Sequence, residues 1–92
     1  MTWTITDIRT FLSVLDAGSI SGAAARSDLS KSVVSKRITD FEAALGVALF
    51  TRHAGRIAPT DSALSLAERL RPALAELVAG RRPDMAFGFY GL

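Results

Sequence analysis

Apolar residues recur along the chain at helical spacing and are interrupted at short polar or glycine-bearing points. Ile5, Ile8, Phe11, Leu12 and Leu15 follow a 3.6-residue period and predict a first helix. Thr6 or Asp7 is expected to cap it, and Gly18 to end it. Ser19 and Ser21 are candidate caps for a second, short helix through Ala23, Ala24 and Ala25, and Asp28-Leu29-Ser30 reads as a tight turn. Ser30 then opens a third helix from Lys31 to about Leu45. Val34, Ile38, Phe41 and Leu45 follow at steps of four, three and four, which makes one buried stripe, and Gly46 ends it.

Two short extended pieces follow, Ala48 to Arg52 and Arg56 to Ala58. The intervening His53-Ala54-Gly55 predicts a three-residue connection and a small hairpin. Thr60 or Asp61 is expected to cap a fourth helix reaching about Ala79, with a bend at Pro72, whose ring displaces a backbone hydrogen bond. Leu64, Leu66, Ala67, Leu70, Leu74, Leu77 and Val78 give that helix more apolar surface than one small domain covers. The expected class is therefore mainly α: a three-helix core with a β-hairpin wing, followed by a long dimerisation helix. The expected division is residues 1–59, a linker helix at 60–80, and a tail at 81–92 expected to be poorly ordered.

Composition narrows the field. Ninety-two residues suit one domain, and a 49% hydrophobic fraction with 22% charged residues marks a globular chain. Without cysteine there is no disulfide, thiol nucleophile or thiolate metal site. His53 is the lone histidine, so no multi-histidine metal site is expected, and no cofactor. Met1-Thr2-Trp3-Thr4 lacks a signal-peptide pattern, and no apolar run approaches the roughly 20 residues that span a bilayer; a cytoplasmic chain without a membrane partner is the expectation. Asp40, Glu42, Glu68 and Glu76 read as solvated charges on helical surfaces. With neither a nucleophile–base pair nor a phosphate loop, an enzyme is not expected.

The net charge is only +2, but its placement is informative. Lys31, Lys36, Arg37, Arg52 and Arg56 stand against Asp40 and Glu42, a local charge of +3. A short helix of small residues, a tight turn and a longer helix have the spacing of a helix-turn-helix. At 100° per residue, Ser32 and Lys36 point away from the Val34 stripe, flanked by Val33, Ser35 and Thr39, with Lys31 at the helix start. These side chains suit a DNA major groove: lysine donates to guanine O6 and N7 or to phosphate, serine reaches base edges or phosphate, and valine meets a thymine methyl. The order of helices and wing favours this over an ordinary solvated helix.

The pieces Phe11-Leu12-Ser13-Val14, Gly18-Ser19-Ile20, Ala23-Ala24-Ala25, Leu29 to Ile38, Phe41-Glu42, Leu45 to Arg52, and Thr60 together resemble the LysR-type transcriptional regulators over about residues 5–79. The resemblance implies a dimer of winged helix-turn-helix domains on imperfect palindromes near promoters. It places Lys31, Ser32, Val33, Ser35 and Lys36 in the major groove, the wing at a minor groove, and Arg52 near the backbone. It also implies antiparallel pairing of the fourth helix, for which Leu66, Leu70, Leu74 and Leu77 are the candidates. Arg37, His53, Arg56 and Thr60 complete the expected DNA-facing set. Several positions differ from the family pattern. Ser27 stands where an apolar residue is usual, Gly55-Arg56 reverses the common wing order, Pro59 replaces an aliphatic, and Asp61-Ser62-Ala63 replaces a Glu-Ala-Gly run.

The family's effector-binding domain would begin near Met85 to Tyr90, so this chain is expected to carry no small-molecule effector site. A second reading makes it a dimerisation module that titrates a full-length regulator through the fourth helix.

Overall fold

The computed structural model describes residues 3–80. The expectations for the tail at 81–92, including the Met85 to Tyr90 stretch, lie outside the described residues. Helices α1 (Ile5–Ala17), α2 (Ile20–Ser27) and α3 (Lys31–Leu45) are followed by strands β1 (Phe50–His53) and β2 (Arg56–Pro59) and helix α4 (Asp61–Val78).

Each helix starts where a side chain can take up a free backbone N–H. Thr4, not Thr6 or Asp7, caps α1. Its hydroxyl accepts from the Asp7 amide at 3.3 Å and the Asp7 carboxylate accepts from the Thr4 amide at 2.9 Å, a reciprocal capping box. Ser19 caps α2, Ser30 caps α3 and Thr60 caps α4. Gly22 sits tightly under its cap: an added Cβ would lie 2.9 Å from the Ser19 hydroxyl oxygen. Asp28 ends α2 in the left-handed region, at φ 56°, and the Leu29 amide closes back on the Ala24 carbonyl at 3.0 Å. That closure makes the turn tight enough for α3 to cross α2, and half-buried Leu29 packs on the core behind it.

The core is one cluster. Phe11, Val14, Ala23, Val34, Ile38, Phe41, Leu49 and Ala63 are all buried within it. Phe41 lies 5.9 Å from the Phe11 ring and 6.3 Å from Trp3, and Phe11 lies 5.8 Å from Phe50. This aromatic chain ties α1, α3 and the first wing strand together. Ala24, buried at the α2 crossing, leaves room for close helix approach.

The wing is shorter at its turn than the sequence suggests. The antiparallel register pairs Phe50 with Pro59 and His53 with Arg56, leaving only Ala54-Gly55 as the loop. Both residues have positive φ, 52° and 77°, as a two-residue hairpin of this twist requires. Glycine accepts that conformation freely, whereas alanine is strained there. Replacing Ala54 by Asn should therefore stabilise the domain by about 1 kcal/mol, read as a higher midpoint in thermal unfolding. A lower midpoint would contradict a left-handed Ala54.

Helix α4 runs unbroken through Pro72. It packs back on the core through buried Ala63 and Ala67, with Leu66, Leu70 and Leu74 half-buried against the same cluster. Arg71 grips Asp16 of α1 with its two terminal guanidinium nitrogens, Nη2 at 2.6 Å and Nη1 at 3.3 Å. That hydrogen bond and the charge beside it hold the Asp16 carboxyl below its ordinary value of 3.8. This pair links α4 to α1 at the domain surface.

Candidate nucleic-acid interface

The third helix supplies the core of the site. Val34, Ile38 and Phe41 are buried, which turns the opposite face outward. On that face Lys31, Ser32, Val33 and Lys36 are exposed, while Ser35 and Arg37 are half-buried at its edges. Val33 is an apolar side chain left 38% exposed on a charged surface, as a contact to a base methyl would require. The α3 N-terminus is free at Lys31 and Ser32, but the Val33 amide is already taken by the Ser30 hydroxyl at 3.2 Å.

Three contacts shape this surface. Lys36 Nζ donates to Asp40 Oδ2 at 2.8 Å, and that hydrogen bond holds the ammonium above the ordinary lysine value. Asp40, expected as a solvated charge, is exposed but paired. Arg52 Nη2 donates to Ser35 Oγ at 3.4 Å, bringing the wing arginine against the recognition helix across 17 residues of sequence. Glu42 accepts from the Leu49 amide at 2.7 Å and the Phe50 amide at 3.2 Å. Glu42 is thus no solvated charge: it staples the end of α3 to the start of the wing. A carboxylate facing two consecutive amides seven and eight residues away is a long-range pairing that local periodicity does not reveal.

The other expected residues fall in two places. His53 and Arg56 face each other across the wing next to its turn, both exposed. Arg56 lines a groove of about 340 Å³ with Ser19, Ile20 and Ser21, so the wing tip leans toward the start of α2. Thr60 is half-buried between the wing and α4. Its hydroxyl donates to the Ala48 carbonyl at 2.7 Å and accepts from the Ala63 amide at 3.1 Å, which ties the end of the wing to the start of α4. The structure thus gathers Lys31, Ser32, Val33, Ser35, Lys36 and Arg52 on one surface, sets His53 and Arg56 at the wing tip, and holds Thr60 behind. No group of three or more His, Asp or Glu side chains is positioned to share a metal among the described residues.

A helix-turn-helix whose second helix presents an outward polar face, with a two-stranded wing beside it, defines a winged helix-turn-helix DNA-binding domain. Residues 5–64 match the family described as bacterial regulatory helix-turn-helix protein, lysR family. The chain belongs to that family. It is 42% identical over 71 residues to the HTH-type transcriptional regulator AbaB of Streptomyces antibioticus, covering 77% of this chain and 24% of AbaB. It is 39% identical over 70 residues to the HTH-type transcriptional regulator GalR of Pseudomonas putida, covering 76% of this chain and 18% of GalR. The chain therefore spans a quarter or less of the length of these curated relatives. Among solved structures, a complex of the CbnR DBD with DNA matches with a TM-score of 0.78 and 28% identity, over 91% of this chain and 94% of that one.

Proposed function

We propose that this chain binds duplex DNA as a homodimer, with α3 in the major groove, the wing near an adjacent minor groove, and imperfect palindromes near promoters as its targets. The observation that carries this reading is the joint presentation of Lys31, Ser32, Val33, Ser35 and Lys36 on one outward face of α3, with Arg52 bonded to its edge. The likeness to a DNA-bound domain supports it. Residues 1–59 form the DNA-reading unit, and 60–80 the dimerising linker.

Two such domains place their recognition helices one helical turn of DNA apart, about 34–36 Å, or a multiple of it. Helix α4 provides a surface for that pairing. Leu66, Leu70, Leu74 and Leu77 lie along it: Leu77 is exposed, and Leu66, Leu70 and Leu74 are half-buried against their own core, which leaves part of each to meet a partner. No described helix is long and apolar enough to cross a membrane.

The division of labour is testable. Lys36 reads base edges, while Arg52, held at the helix margin, positions the protein on phosphate. Lys36→Ala should cost about 1–3 kcal/mol on the preferred duplex and relax the preference at the contacted base pair. Arg52→Ala should weaken all duplexes alike and flatten the salt slope by about one unit. Binding of both variants to preferred and random duplexes at several salt concentrations separates the roles. The reverse pattern would exchange them.

A further inference from the structure

The acidic residue paired with the lysine on the outward face of α3 has a task that the charge pattern alone does not suggest. An exposed pair of this type contributes little to stability, so Asp40 is not explained as a structural staple. Glu42, the other acid of α3, is turned onto the Leu49 and Phe50 amides, whereas Asp40 stands on the DNA-facing side beside Lys36.

We propose that Asp40 is a specificity-determining residue, one that converts Lys36 from a general phosphate contact into a reader of base edges. The inference rests on the DNA-reading role given above to Lys36. A lysine ammonium has three donors, and Asp40 occupies one of them, leaving two for the O6 and N7 acceptors of a guanine. The carboxylate 2.8 Å away also fixes the end of an otherwise flexible stem. Its charge cancels much of the lysine's attraction for an anionic phosphate. Hydrogen bonds from the two remaining N–H groups to an uncharged base edge depend less on that net charge. Non-specific binding, which depends on phosphate neutralisation, is thus weakened more than specific binding.

The test uses three variants of the full chain: Asp40→Asn, Lys36→Ala and the double variant. Each is titrated by fluorescence anisotropy against two duplexes of equal length, one of random sequence and one selected from a random pool by the wild-type chain. Asp40→Asn should bind the random duplex more tightly. Its salt slope there should steepen by about 0.9, and the ratio of specific to non-specific affinity should fall about tenfold. In the Lys36→Ala background the same change should leave the ratio where it is. The proposal is overturned if Asp40→Asn alters both affinities by one factor, or if its effect on the ratio persists without Lys36, since Asp40 would then act as a bare charge. If Lys36→Ala lowers the ratio while Asp40→Asn does not, the proposal fails and the role of Lys36 stands. If Lys36→Ala leaves the ratio unchanged, both fall together.

Discussion

Truncating Phe41 to alanine is expected to destabilise the domain by about 3–5 kcal/mol. The side chain is only 2% exposed and lies at the centre of the packing under the recognition helix. Its removal leaves a cavity between α1 and α3 and breaks two ring contacts, to Trp3 and to Phe11, each worth about 0.5–1.5 kcal/mol beyond the area buried. Proteins are stabilised by only about 5–15 kcal/mol in total, and small domains sit at the lower end. For a domain of this size each kcal/mol lowers the thermal midpoint by about 4–8 °C, so the variant should be partly unfolded near body temperature. DNA binding should fail with it, because α3 loses the wall that orients Lys36 and Ser32. A loss under 1 kcal/mol by denaturant titration would mean that Phe41 is not packed as described.

Leu77→Asp is expected to separate the dimer while leaving each domain folded. Leu77 is 44% exposed near the end of α4, so its replacement costs the single domain little. Leu70 is a poorer choice, because it is half-buried against its own core and a charge there would disturb the fold as well. In the proposed dimer, Leu77 joins the stripe of Leu66, Leu70 and Leu74, where an unpaired carboxylate would be costly to bury. Two linked domains gain about 10²–10⁴ in affinity over one by binding two half-sites together. The variant should therefore sediment as a monomer at micromolar concentration. It should lose at least about a hundredfold in affinity for a two-half-site duplex, and keep its affinity for a single half-site. A dimer that survives Leu77→Asp would move the interface off this stripe. A wild-type monomer with full operator affinity would remove the need for one. Steady operator binding by the wild type also separates the main reading from that of a module that only titrates a longer regulator.

What the sequence reveals and what it hides divide along physical lines. The bounds of α3 are legible because both ends carry local signals, a serine cap at Ser30 and Gly46 in the left-handed region at φ 73°. The buried stripe of Val34, Ile38 and Phe41 needs only the helical period. The start of α1 is misplaced because Thr4, Thr6 and Asp7 compete as caps, and only the reciprocal bond between Thr4 and Asp7 decides among them. The wing turn reads one residue too long because Ala54 gives no turn signal, although it takes a conformation that Asn or Gly would usually supply.

Pairings between distant elements are the least visible. Asp16 and Arg71 lie 55 residues apart, and Glu42 reaches the wing amides only once Gly46 has reversed the chain. The leucines of α4 are legible only in part. Their spacing announces an apolar face, but not that Leu66, Leu70 and Leu74 already lie against their own core. For the proposed DNA-facing set, the period of α3 places Ser32 and Lys36 on the outward face, where both are exposed, and the fold adds what the period lacks: Arg52 at the margin, Asp40 on Lys36, and the Thr60 hydroxyl bonded between wing and helix.

Sequence reading through α3 by a dimer of these domains is tested by repeated selection of duplexes from a random pool by the wild-type chain, followed by sequencing. The expected result is enrichment of an imperfect inverted repeat whose half-site centres lie about 10–10.5 base pairs apart, or a multiple of that spacing, with the enriched bases changed or lost in a parallel selection with Lys36→Ala. A pool that binds but enriches no sequence would contradict it, as would one whose preferred bases are unaffected by Lys36→Ala and Ser32→Ala together.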